Sequence, residues 1–326
     1  MIDFNPNLHI IYTDESNNFS YSTCTSCSIA SIVTSQEYYI NTLESDWNSL
    51  RQKYKVANGI CLHFTDIKAL LNPKYYTRLE KDRNLDMENI FFKPQNPSDK
   101  PQNPLGTSKM QLDTVLLYNF YCDVIDFIKN HDFTIIVSNY FYLKSKTFPT
   151  IAKKHLNSDW YILFKNHLDD LIEYALREKY KNSKLKFQAK LRYDGDFGLS
   201  NKNDLRDAFS HSITSGTARF DSKTARTCFD ELRFISKKEV GYCSNCTSLP
   251  SCTNKNYSHA GNEIIDFIAA YAGKYISKAE NIKHFKDSLS KTTKAAKSSY
   301  EKSVTIKILD KQLSPLDAII PKIYMK

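Results

Sequence analysis

The stretch LHIIYTDESNN, residues 8–18, sets the first expectation about the fold. It opens with β-favouring apolar residues and then turns polar, so we expect a strand that is closed by Asp14 and Glu15. The segment CTSCSIASIV, residues 24–33, has the composition of a second strand, and the short connection favours an antiparallel hairpin. Apolar side chains then recur every three or four positions over residues 36–54, which predicts an amphipathic helix.

Helices and strands alternate along much of the remaining chain. The predicted helices cover residues 110–130, 159–180, 201–212 and 261–277, and the predicted strands cover residues 133–138, 185–193, 227–235 and 304–309. Helices that connect strands in this way pack on both faces of a shared sheet. The pattern therefore predicts an α/β protein, with the last strand at an edge of the sheet.

The composition argues against several classes of protein. Only 8 of the 326 residues are glycine and no glycine-rich phosphate loop occurs, which disfavours Walker-type nucleotide hydrolases and dehydrogenases with a dinucleotide-binding glycine fingerprint. The 45 Lys and Arg residues exceed the 36 Asp and Glu residues, and the net charge of +9 permits a polyanionic partner. The 8 cysteines are too few for a disulfide scaffold, and neither a leader peptide nor a membrane-spanning segment is evident. A cytoplasmic protein is expected.

We expect one main domain over residues 1–278, followed by a basic C-terminal extension over residues 279–326. A proline-rich loop, residues 93–108, lies within the domain and repeats the motif PQNP. A helix in the lysine-rich region near the extension could follow a phosphate backbone, or it could present a solvated face. The lysines that we single out as candidate nucleic-acid contacts are Lys278, Lys283, Lys286, Lys291 and Lys294.

A second insertion, residues 241–259, is rich in cysteine and polar residues. Cys243, Cys246 and Cys252 are followed by His259, and three thiolates with one imidazole can form a tetrahedral structural zinc site. The spacing leaves two alternatives open. One is an iron–sulfur cluster with a fourth ligand from elsewhere in the chain, and the other is a set of free thiols.

Acidic residues occur at three places that the predicted elements could bring together. They are Asp14 and Glu15 after the first strand, Asp194 and Asp196 after the strand LKFQAKLRY, and Glu263 and Asp266 on the helix GNEIIDFIAAY. Ligands collect at the carboxyl ends of strands, and carboxylates bind Mg²⁺ or Mn²⁺, so the group predicts a site for one of these ions. Acids at such places are also ordinary turn formers or helix N-terminal residues, which is the alternative. Asp266 is the most informative, because burying a carboxylate in an apolar helix is costly unless it has a partner.

Five short motifs occur in the same order as in a known family. They are IIYTDESNNF, CLHFTDI, LRYDGD, LRFISKK and NEIIDFIAAY. By this order of motifs, over most of its length, the chain resembles the DUF3800 family. The resemblance implies a ribonuclease H-like fold, in which helices flank a mixed five-stranded sheet. It also implies a metal-dependent nuclease, of a kind often linked to bacterial mobile elements or defence.

The resemblance also implies roles for individual acids. Asp14, Asp194 and Asp266 match the family's metal-binding acids, and Glu15 is a neighbouring acid. We add Glu263, which lies one helical turn before Asp266, as a further candidate ligand. Three features depart from the family pattern. Glycine is replaced by Asn17, glutamine is replaced by Asn262 and Glu263, and the cysteine-rich insertion is not typical of the family.

Two further motifs carry candidate catalytic residues. His63 and Asp66 match the family's His-x-x-acid segment, and His63 would transfer a proton there. A hydrogen-bonded core histidine is the structural alternative. Lys237 matches the family's Ser-Lys segment and would neutralise charge on the reacting phosphate. Its alternative is a solvated lysine at a strand end.

The sequence thus supports two hypotheses of function. The first is a Mg²⁺- or Mn²⁺-dependent nuclease that acts on DNA or RNA, in bacterial defence or a mobile-element context. The second is a catalytically inactive ribonuclease H-like subunit that binds or scaffolds a protein partner in a defence or toxin complex. The complete set of Asp14, Asp194 and Asp266 favours the nuclease, and the departures from the family motifs favour the inactive subunit.

Overall fold

The structure is a computed structural model. It describes residues 7–20, 24–57, 60–72, 74–75, 84–94, 110–143, 159–182, 186–195, 200–235, 260–272 and 302–309. The cysteine-rich insertion of residues 241–259 and most of the proline-rich loop lie outside the described residues. The predictions made for these segments therefore remain predictions.

The described part of the chain contains eight strands. They are β1 (Leu8–Ser20), β2 (Cys24–Ser35), β3 (Phe92–Pro94), β4 (Met110–Leu112), β5 (Thr134–Leu143), β6 (Gln188–Asp194), β7 (Phe229–Ile235) and β8 (Lys302–Leu309). The α-helices are α1 (Gln36–Tyr38), α2 (Glu44–Lys53), α3 (Phe64–Ala69), α4 (Leu85–Phe91), α5 (Thr114–Asn130), α6 (Asp159–Lys181), α7 (Ser200–Ser215), α8 (Ser222–Cys228) and α9 (Ala260–Tyr271). A π-helical segment, Tyr39–Leu43, joins α1 to α2. None of the helices in these residues is long and apolar enough to cross a membrane.

Six strands form one mixed sheet in the order β7-β6-β1-β2-β5-β8. The strands β1, β6 and β7 are parallel to one another, whereas β2, β5 and β8 continue the sheet from β1 in antiparallel pairs. Parallel neighbours need a long crossover, and helices supply it: α6 precedes β6, and α7 and α8 precede β7. The structure agrees with the sequence prediction in its α/β class. It also agrees in the mixed sheet of five strands with flanking helices, and in the sixth strand at an edge.

The core lies on both faces of this sheet. Successive side chains of β1 point to opposite faces, so Tyr12 and Ile11 belong to different apolar clusters. The cluster that contains Tyr12 is covered by α2, α5 and α9, and the cluster that contains Ile11 is covered by α6, α7 and α8. Each helix therefore buries one apolar side against the sheet.

The first strand is longer than the sequence predicts. It continues through Asp14 and Glu15 to Ser20, so the prediction that these two acids close the strand was wrong. The polar residues stay extended because β2 pairs with β1 along this length, with a register shift between Ser16 and Phe19. Ladder hydrogen bonds to a partner strand here outweigh the local turn preference of the sequence.

Other boundaries of helices and strands also differ from the prediction. The helix expected from residue 110 begins at Thr114, because β4 pairs with β3 and the Asp113 side chain then accepts a hydrogen bond from Leu116 N at 3.1 Å as the N-cap. The strand β3 also includes the first two residues of the predicted proline-rich loop. The short polar helix α8, which the sequence did not predict, precedes β7 and delays its start to Phe229.

Candidate metal centre

Three aspartates from distant parts of the sequence meet at one place. Asp14 lies within β1, Asp194 is the last residue of β6, and Asp266 lies on α9. One carboxylate oxygen from each residue lies within 4.8 Å of the other two, and each residue is 8% exposed. The sequence prediction grouped these three residues. Carboxylates arranged in this way could hold a metal ion.

The register of two parallel strands places two of the aspartates side by side. Thr13 of β1 pairs with Tyr193 of β6, so the next residue along each strand, Asp14 and Asp194, is a neighbour of the other. Side-chain alternation puts Asp14 on the same face of the sheet as Tyr12, which is the face that α9 covers. The third carboxylate approaches from that helix.

The close approach of α9 to the sheet depends on Gly261. A Cβ atom at this position would overlap the ring of Tyr12. That ring is 3% exposed and lies next to Tyr39, so it has little room to move away. Glycine thus allows α9 to pack against β1, and this packing brings Asp266 toward Asp14.

The electrostatics of the centre are those of crowded negative charges. Burial raises the pKa of Asp14 well above its ordinary value, and the charges of Asp194, Glu15 and Asp266 raise it further. The Glu15 backbone N–H donates to Asp14 Oδ1 at 2.7 Å and opposes this shift without overcoming it. A cation between the carboxylates would relieve the repulsion, because it favours the charged form of each one.

Neutral donors orient two of the carboxylates. Phe64 N donates to Asp266 Oδ2 at 2.5 Å, and Asn262 Nδ2 donates to Asp194 Oδ1 at 3.3 Å. The Asn262 Oδ1 atom is buried and has no hydrogen-bond partner within the described part of the chain, so it offers a further oxygen to a bound ion. A set of metal ligands made only of oxygen atoms suits hard cations such as Mg²⁺ and Mn²⁺. The residues present therefore fit the kind of ion that the family resemblance implies.

His63 lies between two carboxylates at the margin of the centre. Its Nε2 atom is 3.3 Å from Asp266 Oδ1, and its Nδ1 atom is 3.5 Å from Asp66 Oδ2. The imidazole is 20% exposed and the Asp66 side chain is 45% exposed, so the pair is partly open to solvent, although the Nδ1 atom itself is buried. From this position His63 can orient Asp266 or exchange a proton with water.

Glu263 does not join the three aspartates, although the sequence prediction included it among the metal ligands. Its Oε1 atom accepts from Arg51 Nη1 at 2.5 Å and from Leu62 N at 2.8 Å, and its Oε2 atom accepts from Trp47 Nε1 at 2.6 Å. Burial raises the pKa of Glu263, and the Arg51 charge opposes that effect. The buried ion pair with Arg51 engages Oε1 and the Trp47 indole engages Oε2, so Glu263 is not one of the three clustered carboxylates.

Glu15 lies next to the centre but on the other face of the sheet. It follows Asp14 in β1, and alternation turns its side chain toward the opposite side. There its charge and a hydrogen bond to Tyr193 add to the effect of burial, which raises the pKa of that tyrosine. Glu15 therefore acts on Asp14 through its charge and is not one of the three close carboxylates.

The remaining predicted site residues lie outside the described residues. They are Lys237, the candidate zinc ligands Cys243, Cys246, Cys252 and His259, and the candidate nucleic-acid contacts Lys278, Lys283, Lys286, Lys291 and Lys294. The roles assigned to them from the sequence stay predictions.

Two contacts of the centre were not found from the sequence. Asn262 was noted only as a departure from the family motif, although a buried amide one residue before Glu263 in an apolar helix was an available signal. The donor from Phe64 is a backbone amide, and every residue except proline carries one, so the sequence holds no signal for it.

Comparisons with known proteins do not add a family assignment. No model of a known protein family matches the chain. A comparison with curated proteins also finds no match. The functional argument therefore rests on the geometry of the centre and on the motifs of the sequence.

Proposed function

We propose that this protein is a nuclease that hydrolyses phosphodiester bonds of DNA or RNA, with Mg²⁺ or Mn²⁺ held by Asp14, Asp194 and Asp266. The observation that carries the proposal is the meeting of three buried carboxylates with one oxygen of each within 4.8 Å of the others. Burying acids together is unfavourable unless a counter-charge is present. Neutral side chains would fill the same space at lower cost, so a need for charge is the better explanation.

The arrangement of the sheet supports a ribonuclease H-like fold. The central strand β1 has an antiparallel neighbour, β2, on one side and a parallel neighbour, β6, on the other. The DUF3800 resemblance implies a mixed sheet with one acid in the first strand, one in the middle of the sheet and one on the last core helix. Asp14 in β1, Asp194 in β6 and Asp266 on α9 correspond to these three positions.

In this proposal each of the three aspartates would hold the ion through a carboxylate oxygen. A divalent cation held there would act as a Lewis acid toward the phosphate and the attacking water. Phe64 N keeps Asp266 in its orientation, and the Asn262 amide does the same for Asp194. These two contacts fix the ligands before substrate arrives, which favours catalysis because less reorganisation is needed.

His63 supplies the proton transfer in the proposed reaction. Its ring contacts Asp266 through Nε2 and is partly exposed, so it can pass a proton between the reacting groups and water. Asp66 holds the ring from the Nδ1 side. Lys237 would neutralise charge on the phosphate, a role that comes from the family resemblance alone.

The proposed setting is the cytoplasm of a bacterium, in defence or mobile-element biology. Cys122 and Cys228 are free thiols, which is common in reducing compartments. A protein partner, and a structural zinc ion in the insertion of residues 241–259, are further parts of the proposal that come from the sequence.

The test is a cleavage assay on single- and double-stranded DNA and RNA, in Mn²⁺ and then in EDTA. We expect cleavage by the wild type in Mn²⁺ and none in EDTA. The variants Asp14→Asn and Asp266→Asn should lose activity by about a hundredfold or more. The control Asp86→Asn changes an exposed aspartate and should cut like the wild type. A wild-type protein that binds no divalent ion and cuts none of these substrates would refute the nuclease and favour the inactive binding subunit.

A further inference from the structure

A basic cleft lies at the end of the sheet opposite to the aspartates. It has a volume of about 600 Å³, and residues of α6, α8 and the segments before β1 and β6 line it. Gln188, the first residue of β6, lines the cleft, while Asp194 is the last residue of the same strand. The length of this strand separates the two sites by about 20 Å. The cationic residues of the basic cleft are Lys179, Lys186, Lys223 and Arg226.

The positive charge of the basic cleft is not balanced by its lining. No acidic residue is among the described residues that line it. Other cations of α6 do form ion pairs, Arg177 with Glu173 and Lys181 with Glu178. Within the described part of the chain, no carboxylate lies at ion-pair distance from any of the four cleft cations, and only the longer-range charge of Asp221 acts on Lys223. Four like charges around one space repel each other, so an anion in the cleft would stabilise it.

The floor of the basic cleft is apolar and carries no reactive nucleophile among the described residues that line it. Ala175, Phe187 and Cys228 line it and are buried. Burial raises the pKa of the Cys228 thiol to about 11, so the thiol stays protonated and is a poor nucleophile at neutral pH. Thr224 and Thr227 add polar side chains to the wall. This combination of a charged rim and a neutral floor indicates binding and not cysteine chemistry.

We propose that the basic cleft binds the phosphate groups of a nucleotide, either free or within a nucleic-acid strand. Lys and Arg side chains are the usual partners of phosphate oxygens, and an apolar floor accommodates a sugar or a base. A volume of about 600 Å³ is ordinary for a small-molecule site. The proposal does not depend on nuclease activity, because the cleft lies away from the aspartates and the binding needs no metal ion.

The experiment measures binding by fluorescence anisotropy in EDTA, with a labelled single-stranded oligonucleotide and with a labelled ATP analogue as probes. The cleft variant is Lys223→Glu/Arg226→Glu. The control variant Lys55→Glu/Lys74→Glu changes two exposed lysines outside the cleft and alters the net charge by the same amount. For whichever probe the wild type binds, we expect the affinity of the cleft variant to be about tenfold or more lower. The affinity of the control variant should stay within about twofold of the wild type. The milder variant Lys223→Gln/Arg226→Gln should show a loss in the same direction.

The two probes separate the two sources of phosphate. Binding of the oligonucleotide without competition by ATP assigns the cleft to a nucleic-acid strand, and binding of the ATP analogue assigns it to a free nucleotide. The assay in EDTA detects binding without cleavage, so a failed nuclease assay leaves this result unaffected. The proposal is overturned if the wild type binds neither probe, or if the control variant loses as much affinity as the cleft variant.

Discussion

Glu263 and Asp266 lie one turn apart on α9 and both are buried, yet their surroundings differ. The carboxylate of Glu263 meets donors, namely the Arg51 guanidinium, the Trp47 indole and a backbone amide. The carboxylate of Asp266 also accepts from one backbone amide, Phe64 N, but it faces two further acids, Asp14 and Asp194. A carboxylate surrounded by donors stabilises the fold, whereas a carboxylate surrounded by acids creates a place for a cation. Proximity on one helix face therefore does not imply a shared role.

The largest expected effect on stability comes from breaking the first of these two sites. Glu263→Gln leaves the Arg51 charge buried without its counter-charge, and we expect a loss of about 3–5 kcal/mol in the free energy of unfolding. Urea denaturation followed by far-ultraviolet circular dichroism measures it. The double variant Arg51→Met/Glu263→Met should recover much of the loss, because neither charge remains. A loss below about 1 kcal/mol in the single variant would show that the ion pair contributes little.

The second prediction concerns the contact between His63 and Asp266. His63→Gln should lower the cleavage rate by roughly 10–100-fold at saturating Mn²⁺, since both the proton carrier and a contact of a ligand are lost. Asp66→Asn removes only the support of the ring and should have a smaller effect. Unchanged cleavage by His63→Gln would assign the histidine a structural role.

The third prediction tests the packing of α9, the helix that carries the carboxylates of Glu263 and Asp266. Gly261→Ala places a methyl group against the Tyr12 ring, and overpacking of this kind costs about 1–3 kcal/mol. Thermal or urea unfolding of the variant measures the change. A second substitution that makes room, Tyr12→Leu, should reduce the penalty of the first in a double-mutant cycle. Additive effects of the two changes would mean that the ring and the helix do not interact as described.

Much of the candidate metal centre could be predicted from the sequence, for physical reasons that differ by residue. Asp266 was recognisable because an acid in an apolar helix is costly to bury, and Asp194 because it follows an alternating strand. The role of Glu263 could not be predicted, because its partner Arg51 is 212 residues away in the sequence. Only the folded chain brings that cation to the same helix.

Parts of the fold could not be predicted from the sequence for similar reasons. The residues after Tyr12 are turn formers by composition, and the extension of β1 to Ser20 depends on pairing with β2. The sequence of α8 is short and polar and carries a weak helical pattern, so it was missed. The strongly periodic helix α6 and the β1–β2 hairpin were predicted well, because their apolar patterns are long or their connection is short.

A third buried polar region extends the comparison, because its side chains form hydrogen bonds with one another and need no metal ion. His167 is fully buried on the other face of the sheet, with Nε2 at 2.7 Å from Ser31 Oγ and Nδ1 at 2.7 Å from Ser138 Oγ. Ser138 also donates to Asp170, which accepts from Arg219. Burial lowers the pKa of His167 to about 3, so the ring is neutral in the folded protein.

The last expected effect is a pH dependence of stability that comes from this region. Below its ordinary pKa of 6.5 the unfolded His167 takes up a proton, while the folded residue does not until about pH 3, so its contribution to stability falls as the pH falls between these values. The slope is about 1.4 kcal/mol per pH unit. Burial raises the pKa of Asp170 to about 6 and gives an opposite trend below that pH.

The measurement compares the wild type with His167→Gln, so that the contribution of Asp170 largely cancels. The difference in the free energy of unfolding between the two proteins should shrink as the pH is lowered from 6 to 4. Urea titrations at several pH values provide it. A difference that does not change with pH would show that His167 is protonated in the folded protein.

The most direct test of the central claim is the effect of Mn²⁺ on the unfolding temperature of the wild type and of Asp266→Asn. Mn²⁺ should stabilise the wild type, by about 2.7 kcal/mol at a hundredfold excess over its dissociation constant, and should not stabilise the variant. In EDTA the variant should be at least as stable as the wild type, because the substitution removes a repelling charge. Equal stabilisation of both proteins by Mn²⁺, or of neither, would contradict a cation site built from the three aspartates.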